Sequence, residues 1–138
     1  MKSTLVSKLL CGAAAAALSF SAMAADTVKV GVLGTTVVRP YASYVTCRNP
    51  DTATTALTDT LMQQRVDLVV ALTHRFISED EYTLATEPRI TAILGGHEHD
   101  GRRTQRDGRL LVKAVSNART AVLVTFSRPR AGAAWTVR

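Results

Sequence analysis

The three histidines of the chain follow apolar runs, and their placement is typical of a metal site. His97 and His99 come directly after an apolar run that ends in a glycine pair, residues 93–96, and His74 follows a second apolar run, residues 66–72. In a parallel α/β sheet, ligand sites gather where the carboxyl ends of neighbouring strands meet. Because neutral imidazole is the commonest metal ligand in proteins, the sequence predicts His74, His97 and His99 as metal ligands.

The residues beside the histidines have predicted supporting roles. Gly95 and Gly96 carry no side chains, so the loop can turn sharply and its backbone can come close to a ligand. Glu98 alternates with the two histidines and is expected to point away from a metal ion. Asp100 could accept a hydrogen bond from an imidazole and so orient it.

The elements that must position the histidines alternate between strands and helices. Runs of apolar and β-branched residues favour strands, and the stretches between them have helical spacing or capping residues. The predicted order is strand 27–34, helix 51–65, strand 66–72, helix 78–86, strand 90–94, strand 109–115 and strand 120–126. This order predicts an α/β fold with parallel early strands, crossover helices and a β-rich end.

Several local signals support these elements. Asp51 can cap the first helix, whose predicted apolar face consists of Ala56, Leu57, Leu61 and Met62. Ser78 and Glu81 have the spacing of a capping box at the start of the second helix. Asp107-Gly108 indicates a turn, and the two strands that follow it are predicted to form a hairpin. Trp135 indicates a further short strand near the end of the chain.

The first 24 residues are predicted to be a signal peptide. Lys2 and Lys8 give a positive start, residues 9–20 form an apolar core too short to span a membrane comfortably, and residues 22–24 (Ala-Met-Ala) provide a cleavage site. We therefore expect a periplasmic or secreted protein with no membrane anchor and one small domain, residues 25–138. Cys47 is then the one remaining cysteine, which predicts no internal disulfide and a partly buried thiol.

The basic character of the chain is moderate. The formal net charge of +6 falls to +4 without Lys2 and Lys8. This excess is compatible with a phosphate-bearing ligand, but no aromatic residues interleave with the basic ones, so nucleic-acid binding is not expected. A basic module that binds nucleic acid or another anion is a further hypothesis, and it rests on the arginine excess alone.

The individual basic residues are more simply interpreted as solvated or structural. Arg75 follows His74 and is predicted to be a solvated loop residue, with phosphate contact as the alternative. Lys113 and Asn117 are predicted to be structural. Four further arginines follow the histidine motif; they are predicted to lie on a solvated hairpin, although they could attract an anionic substrate: Arg102, Arg103, Arg106 and Arg109.

Three stretches together resemble the calcineurin-like metallophosphoesterases, in particular the secreted bacterial 5′-nucleotidase branch. They are Asp67–His74, Ile90–His99 and Leu111–Ala118, and Val28–Gly34 is similar to the strand that precedes them in the family. The resemblance extends from Val28 to Phe126. It implies half of an α-β-β-α sandwich and metal-dependent hydrolysis of a phosphate ester or nucleotide.

The resemblance also implies a set of metal ligands. The family holds two divalent ions, such as zinc, manganese or iron. By resemblance His74 and His97 would ligate one ion and His99 the other, and the ions would bind the phosphoryl oxygens and activate water.

The motifs of the family's first half do not occur in this sequence. Asp-x-His, Gly-Asp and Gly-Asn-His, which supply carboxylate, amide and catalytic groups, are all missing. Residues 25–138 therefore correspond to a partial domain that is expected to hold at most one ion, to leave apolar sheet surface uncovered and to have no identifiable catalytic residue. The alternatives to a hydrolase are a non-catalytic metal-binding remnant and a half-domain that needs a complementary chain.

Overall fold

The computed structural model describes residues 27–39 and 43–138, so the predicted signal peptide and its cleavage site lie outside the described residues. Helices and strands alternate in the first half of the described chain, and strands alone follow. The elements are β1 (Val30–Thr36), α1 (Pro50–Gln63), β2 (Leu68–His74), α2 (Ile77–Thr86), β3 (Ala92–Gly95), β4 (Arg102–Arg106), β5 (Arg109–Lys113), β6 (Phe126–Ser127) and β7 (Thr136–Val137).

A mostly parallel sheet forms the centre of the fold. Its strand order is β1-β2-β3-β5-β4, and β6 and β7 form a separate two-stranded sheet. The first four strands in this order run parallel, and β4 runs antiparallel to β5. The α/β class and the parallel early strands are therefore as predicted.

Both helices pack against one face of this sheet. Because side chains alternate between the two faces of a strand, Leu33, Ala71, Ile93 and Leu111 share that face, and the fully buried Leu84 of α2 joins them in one apolar cluster. Burial of apolar surface contributes about 25 cal/mol per Å², so this cluster stabilises the packing of the helices on the sheet.

The opposite face is covered only in part. Val112 and the completely buried Ala92 and Leu110 pack there against Val137, with Val124 and Phe126 alongside. The same face is open on β1 and at the end of β2, where Val30, Val32 and Leu72 are 48%, 54% and 48% exposed, whereas Leu68 and Val70 of β2 are buried. The expectation of an uncovered apolar sheet surface thus agrees with the structure.

The predicted terminal hairpin is wrong. Residues 109–115 were expected to pair with 120–126, but β5 pairs with β4, the arginine-rich strand on the other side of the Asp107-Gly108 turn. Both turn residues have positive φ, 50° and 75°, as a tight hairpin turn requires. The sequence did not indicate β4 as a strand, because the segment is rich in charged residues and only one of its five residues is even partly buried.

Helix α1 also differs from its prediction. Its cap is Asn49, whose Oδ1 accepts hydrogen bonds from the backbone N–H groups of Asp51 and Thr52, each at 3.0 Å, with Pro50 in the first turn. The buried residues are Thr54 and Thr58. Three residues of the predicted apolar face are exposed, and only Leu61 packs against the core: the exposed ones are Ala56, Leu57 and Met62.

The start of α2 is one residue earlier than predicted and uses a different carboxylate. The helix begins at Ile77, and Glu79, rather than Glu81, accepts a hydrogen bond from the backbone N–H of Phe76 at 3.0 Å. Glu81 instead accepts from the Thr104 hydroxyl of β4 at 2.9 Å. The predicted helix is therefore present, and the predicted capping pair is wrong.

Two smaller expectations have different outcomes. Cys47 is exposed rather than partly buried. The strand indicated by Trp135 is present as β7, directly after it. Neither α1 nor α2, the two helices of residues 27–39 and 43–138, is long and apolar enough to cross a bilayer.

Asp67, just before β2, forms hydrogen bonds with the last segment of the chain. Its carboxylate accepts hydrogen bonds from the backbone N–H of Lys29 at 2.8 Å and from Arg128 at 3.2 Å. Its carbonyl oxygen accepts from the Trp135 indole at 2.9 Å, and the Arg128 guanidinium lies 4.7 Å from the centroid of that indole. The hydrogen bond from Lys29, opposed by partial desolvation and reinforced by Arg128, holds the pKa of Asp67 below 3.8.

We predict that Thr58→Val stabilises the protein. The buried Thr58 hydroxyl has no hydrogen-bond partner among the described residues, so replacing it with a methyl group removes an uncompensated desolvation penalty and raises the free energy of unfolding by about 1 kcal/mol. Urea denaturation measures the change. Thr60→Val, on the exposed side of the same helix, is the control and should bring no gain; a destabilised Thr58→Val would contradict the prediction.

We predict that Asp67→Asn destabilises the protein only where Asp67 is ionised. Because the folded-state pKa is lowered, the carboxylate contributes stability above its ordinary pKa of 3.8, and this contribution is lost as the pH falls through the folded-state pKa. The gap in unfolding free energy between wild type and variant should therefore narrow below pH 3.8. Asp107→Asn, at a side chain 76% exposed, is the control, and an Asp67→Asn gap that does not vary with pH would contradict the argument.

Candidate metal centre

His74 and His97 meet at the carboxyl edge of the sheet because β2 and β3 are parallel neighbours. His74 is the last residue of β2, and Thr73 lies beside Gly95 in the register of the two strands. The backbone N–H of Gly96 donates to the Thr73 carbonyl at 3.0 Å, which continues the pairing past β3. The loop then places His97 Nδ1 3.3 Å from His74 Nε2.

The two imidazoles have fixed relative orientations. Their ring centroids are 5.0 Å apart and their planes are 85° from parallel. Phe76 packs edge-on against His97, with centroids 4.4 Å apart. His97 is therefore held between an imidazole and a phenyl ring, with one ring nitrogen directed at its partner.

This separation fits two ligands of one metal ion. Zinc binds imidazole nitrogen at about 2.0–2.1 Å, and tetrahedral geometry then places two such nitrogens about 3.3 Å apart. The same distance fits a hydrogen bond in which one neutral imidazole donates to the other. Either arrangement requires that the two nitrogens face each other, as they do here.

His99 does not join the pair. It is exposed, its φ is 66°, and its carbonyl oxygen accepts from the backbone N–H of Ser116 at 3.3 Å. Within residues 27–39 and 43–138, no three side chains of the types that bind metals are grouped around one point. The structure thus brings together two of the three predicted ligands, and the role of His99 stays a prediction.

The loop that carries the histidines has a strained backbone. His97 and His99 have φ values of 96° and 66°, in the left-handed region that residues with a side chain seldom adopt. Gly95 and Gly96 precede them, and neither has a positive φ. Gly95 matters for space, because an added Cβ would lie 2.7 Å from the Thr73 hydroxyl and 2.9 Å from Lys113 Cε.

A buried network of charged residues lies beneath this loop, centred on Lys113. Its side chain is 1% exposed, and its ammonium donates to the Arg75 carbonyl at 2.6 Å and to Glu98 at 2.7 Å. Asp80 lies 2.9 Å from the ammonium and accepts from the Thr73 hydroxyl at 2.8 Å. The network joins β5, β2, α2 and the histidine loop.

The two carboxylates of the network have opposite pKa shifts. Burial raises the pKa of Asp80, against the opposing effects of Lys113 and Thr73, and its second oxygen has no hydrogen-bond partner among the described residues. Desolvation also acts to raise the pKa of Glu98, but the hydrogen bonds from Lys113 and the Ile77 N–H outweigh it and lower that pKa. Glu98 is therefore the more firmly ionised partner of Lys113.

Arg75 is buried, and its prediction as a solvated loop residue is wrong. It is 2% exposed; its guanidinium bonds Asp51 at 2.7 Å and the Thr83 hydroxyl at 3.1 Å and lies 3.7 Å from Glu79. Arg75 therefore connects the two helices to the end of β2. The adjacent His74 faces the other side of the sheet, since neighbouring side chains on a strand alternate.

The remaining residues with predicted roles have contacts or backbone conformations of a structural kind. Asp100 forms an ion pair with Arg102 at 2.6 Å and has no described contact with an imidazole, so its predicted orienting role finds no support. Arg102, Arg103 and Arg106 are exposed on the β4–β5 hairpin, as predicted. Arg109 differs from the prediction: its side chain is 12% exposed and donates to the Glu87 carbonyl at 3.1 Å. Asn117 has a φ of 62° in a turn.

Sequence reasoning assigned no site role to the Lys113 network. The signal that could have found it is the position of Lys113 within the apolar run of residues 110–115. A buried ammonium needs acidic partners, and Glu98 follows a buried strand nearby. Asp80 could not be singled out, because its position in a helix rich in acidic residues resembles an exposed one.

The comparisons with known proteins identify no relative. No protein-family model matches the chain, and no curated protein and no solved structure matches it. The resemblance to the metallophosphoesterases therefore rests on the sequence motifs and stays a prediction.

We predict that Gly95→Ala destabilises the protein by about 1–3 kcal/mol, because the added methyl group would overlap Thr73 and the enclosed Lys113. Thermal or urea unfolding measures the loss. Gly34→Ala is the matched control on β1 of the same sheet, where the nearest atom lies 3.8 Å from the added Cβ, and it should change stability by less than about 0.5 kcal/mol. Equal effects of the two substitutions would contradict the prediction.

Proposed function

We propose that the chain binds a divalent metal ion through His74 and His97 and belongs to a metal-dependent phosphoester hydrolase of the 5′-nucleotidase type. The observation that supports this most directly is the 3.3 Å separation of His97 Nδ1 and His74 Nε2 at the carboxyl edge of a parallel sheet. Two imidazoles from consecutive strands fit one ion and leave its other coordination positions open for water, substrate or further ligands.

The residues have distinct roles in this proposal. His74 and His97 hold the ion, Phe76 restricts the His97 ring, and Glu98 belongs to the supporting network. A bound divalent ion would supply charge for phosphoryl oxygens and would lower the pKa of an attacking water. Three parts of the proposal rest on the family resemblance: a role in nucleotide catabolism, the presence of two ions in a complete site, and zinc, manganese or iron as the metal.

The second candidate is a non-catalytic metal-binding half-domain that needs a complementary chain. It is favoured by the short ligand set, because the carboxylates of the buried network, Asp80 and Glu98, already compensate Lys113 and would not offset the repulsion between two ions. The open apolar surface at Val30, Val32 and Leu72 favours it too. In both candidates the protein is periplasmic or secreted, which rests on residues 1–24.

We predict that the mature chain binds one zinc ion and that His97→Ala weakens binding at least about tenfold, or 1.4 kcal/mol. Loss of one of two protein ligands removes a direct bond to the ion. Isothermal titration calorimetry gives the stoichiometry and affinity. His99→Ala is the matched control: a two-histidine site predicts little change, whereas a loss equal to that of His97→Ala would place His99 among the ligands, as the resemblance implies.

A phosphatase assay with added manganese or zinc separates the two candidates. Turnover of a nucleotide monophosphate that disappears in His97→Ala supports the hydrolase. Metal binding by a folded chain without turnover supports the half-domain. A folded chain that binds no zinc at all would exclude both.

A further inference from the structure

Glu98 lies between the two strained residues of the histidine loop. His97 and His99 both have positive φ, so the loop needs other contacts to keep this backbone conformation. The glycine pair does not remove the strain, because it precedes His97 and has no positive φ itself. The Glu98 side chain lies between the two histidines and is therefore well placed to hold them.

The Glu98 carboxylate is held at both oxygens. Oε1 accepts from the backbone N–H of Ile77, at the start of α2, and Oε2 accepts from the Lys113 ammonium at 2.7 Å. Lys113 is itself fixed by the Arg75 carbonyl at 2.6 Å and by Asp80 at 2.9 Å. Glu98 thus ties the loop to a buried, charged point of the sheet and to the first turn of a helix.

We propose that Glu98 and Lys113 are a positioning pair that holds the His97 imidazole against His74. Neither residue touches the space between the two rings; they act through the backbone on either side of Glu98. The consequence for a metal ion rests on the function proposed above, whereas the consequence for the two rings does not. With the pair in place, the two nitrogens face each other before any ion arrives, so less binding free energy is lost in ordering the loop.

A general loss of stability has to be separated from a loss of positioning. Glu98→Gln keeps the size of the side chain but removes the charge that pairs with Lys113. Glu81→Gln is the matched control, since Glu81 is an exposed residue of α2 that contacts Thr104 on β4 and lies outside the network. Both variants remove one carboxylate, so a difference between them reports on the position of the charge.

The first measurement is made without metal. Nuclear Overhauser contacts between the rings of His74 and His97, and the three-bond amide coupling of His97, report the ring separation and the φ angle directly. We expect Glu98→Gln to retain a cooperative unfolding transition but to lose these ring contacts, while Glu81→Gln keeps them. Unchanged ring contacts and coupling in a folded Glu98→Gln chain would overturn the proposal.

The second measurement uses Co²⁺ as a spectroscopic probe of the histidine pair. We expect Glu98→Gln to bind Co²⁺ about 10–100-fold more weakly than wild type, the usual effect of removing a residue that orients a ligand, with Glu81→Gln unchanged. An affinity equal to that of wild type in a folded Glu98→Gln chain would also overturn it. If wild type itself binds no Co²⁺ and no Zn²⁺, the proposed function fails, while the metal-free ring contacts still decide the positioning role.

If Glu98→Gln does not fold, a measurement on the wild-type chain tests the proposal instead. The Lys113 ammonium protons should then exchange with solvent far more slowly than those of the exposed Lys29, because three oxygens enclose them. Slow exchange, together with Overhauser contacts between Lys113 and Glu98, supports the positioning pair. Exchange as fast as that of Lys29 would show that the two residues are not in contact and would overturn the proposal.

Discussion

The burial of the Lys113 ammonium is the constraint on which the rest of this site depends. A charge in the interior is tolerated only where oxygen atoms replace the lost water, and removal of one partner leaves an uncompensated ion. The oxygens around Lys113 come from Asp80 on α2, from Glu98 in the histidine loop and from the Arg75 carbonyl after β2. One cation therefore fixes the relative positions of three separate segments of the chain.

The arrangement of the histidines follows from the same constraint. Parallel pairing of β2 and β3 brings His74 and His97 to one edge, but pairing alone does not choose the direction of a ring in a loop. The loop beyond β3 has positive φ at His97 and His99. The contacts of Glu98 below the loop and of Phe76 beside it restrict the direction of the His97 ring. The arrangement of His74 and His97 thus depends on the Lys113 network as well as on the histidine motif.

The sequence was informative where a pattern is local. Apolar runs located β1, β2, β3 and β5 to within a few residues, and the placement of His74 and His97 after two of those runs predicted their meeting. The sequence was not informative where long-range packing decides the structure. β4 is a polar, arginine-rich strand and pairs only because the Asp107-Gly108 turn brings it to β5. Arg75 and Asp80 look like surface residues in the sequence, and only the packing of α1 and α2 onto the sheet buries them.

The two edges of the sheet are chemically unlike. β4 borders one edge with Arg102, Arg103 and Arg106, whose charges oppose the approach of another strand. β1 borders the other and, among the described strands, pairs with β2 alone, beside the exposed Val30 and Val32. Growth by strand addition needs two receptive edges on each chain. Because the charged β4 edge opposes strand addition, edge-to-edge pairing through the described strands would join two chains at β1 and would not extend into a fibril.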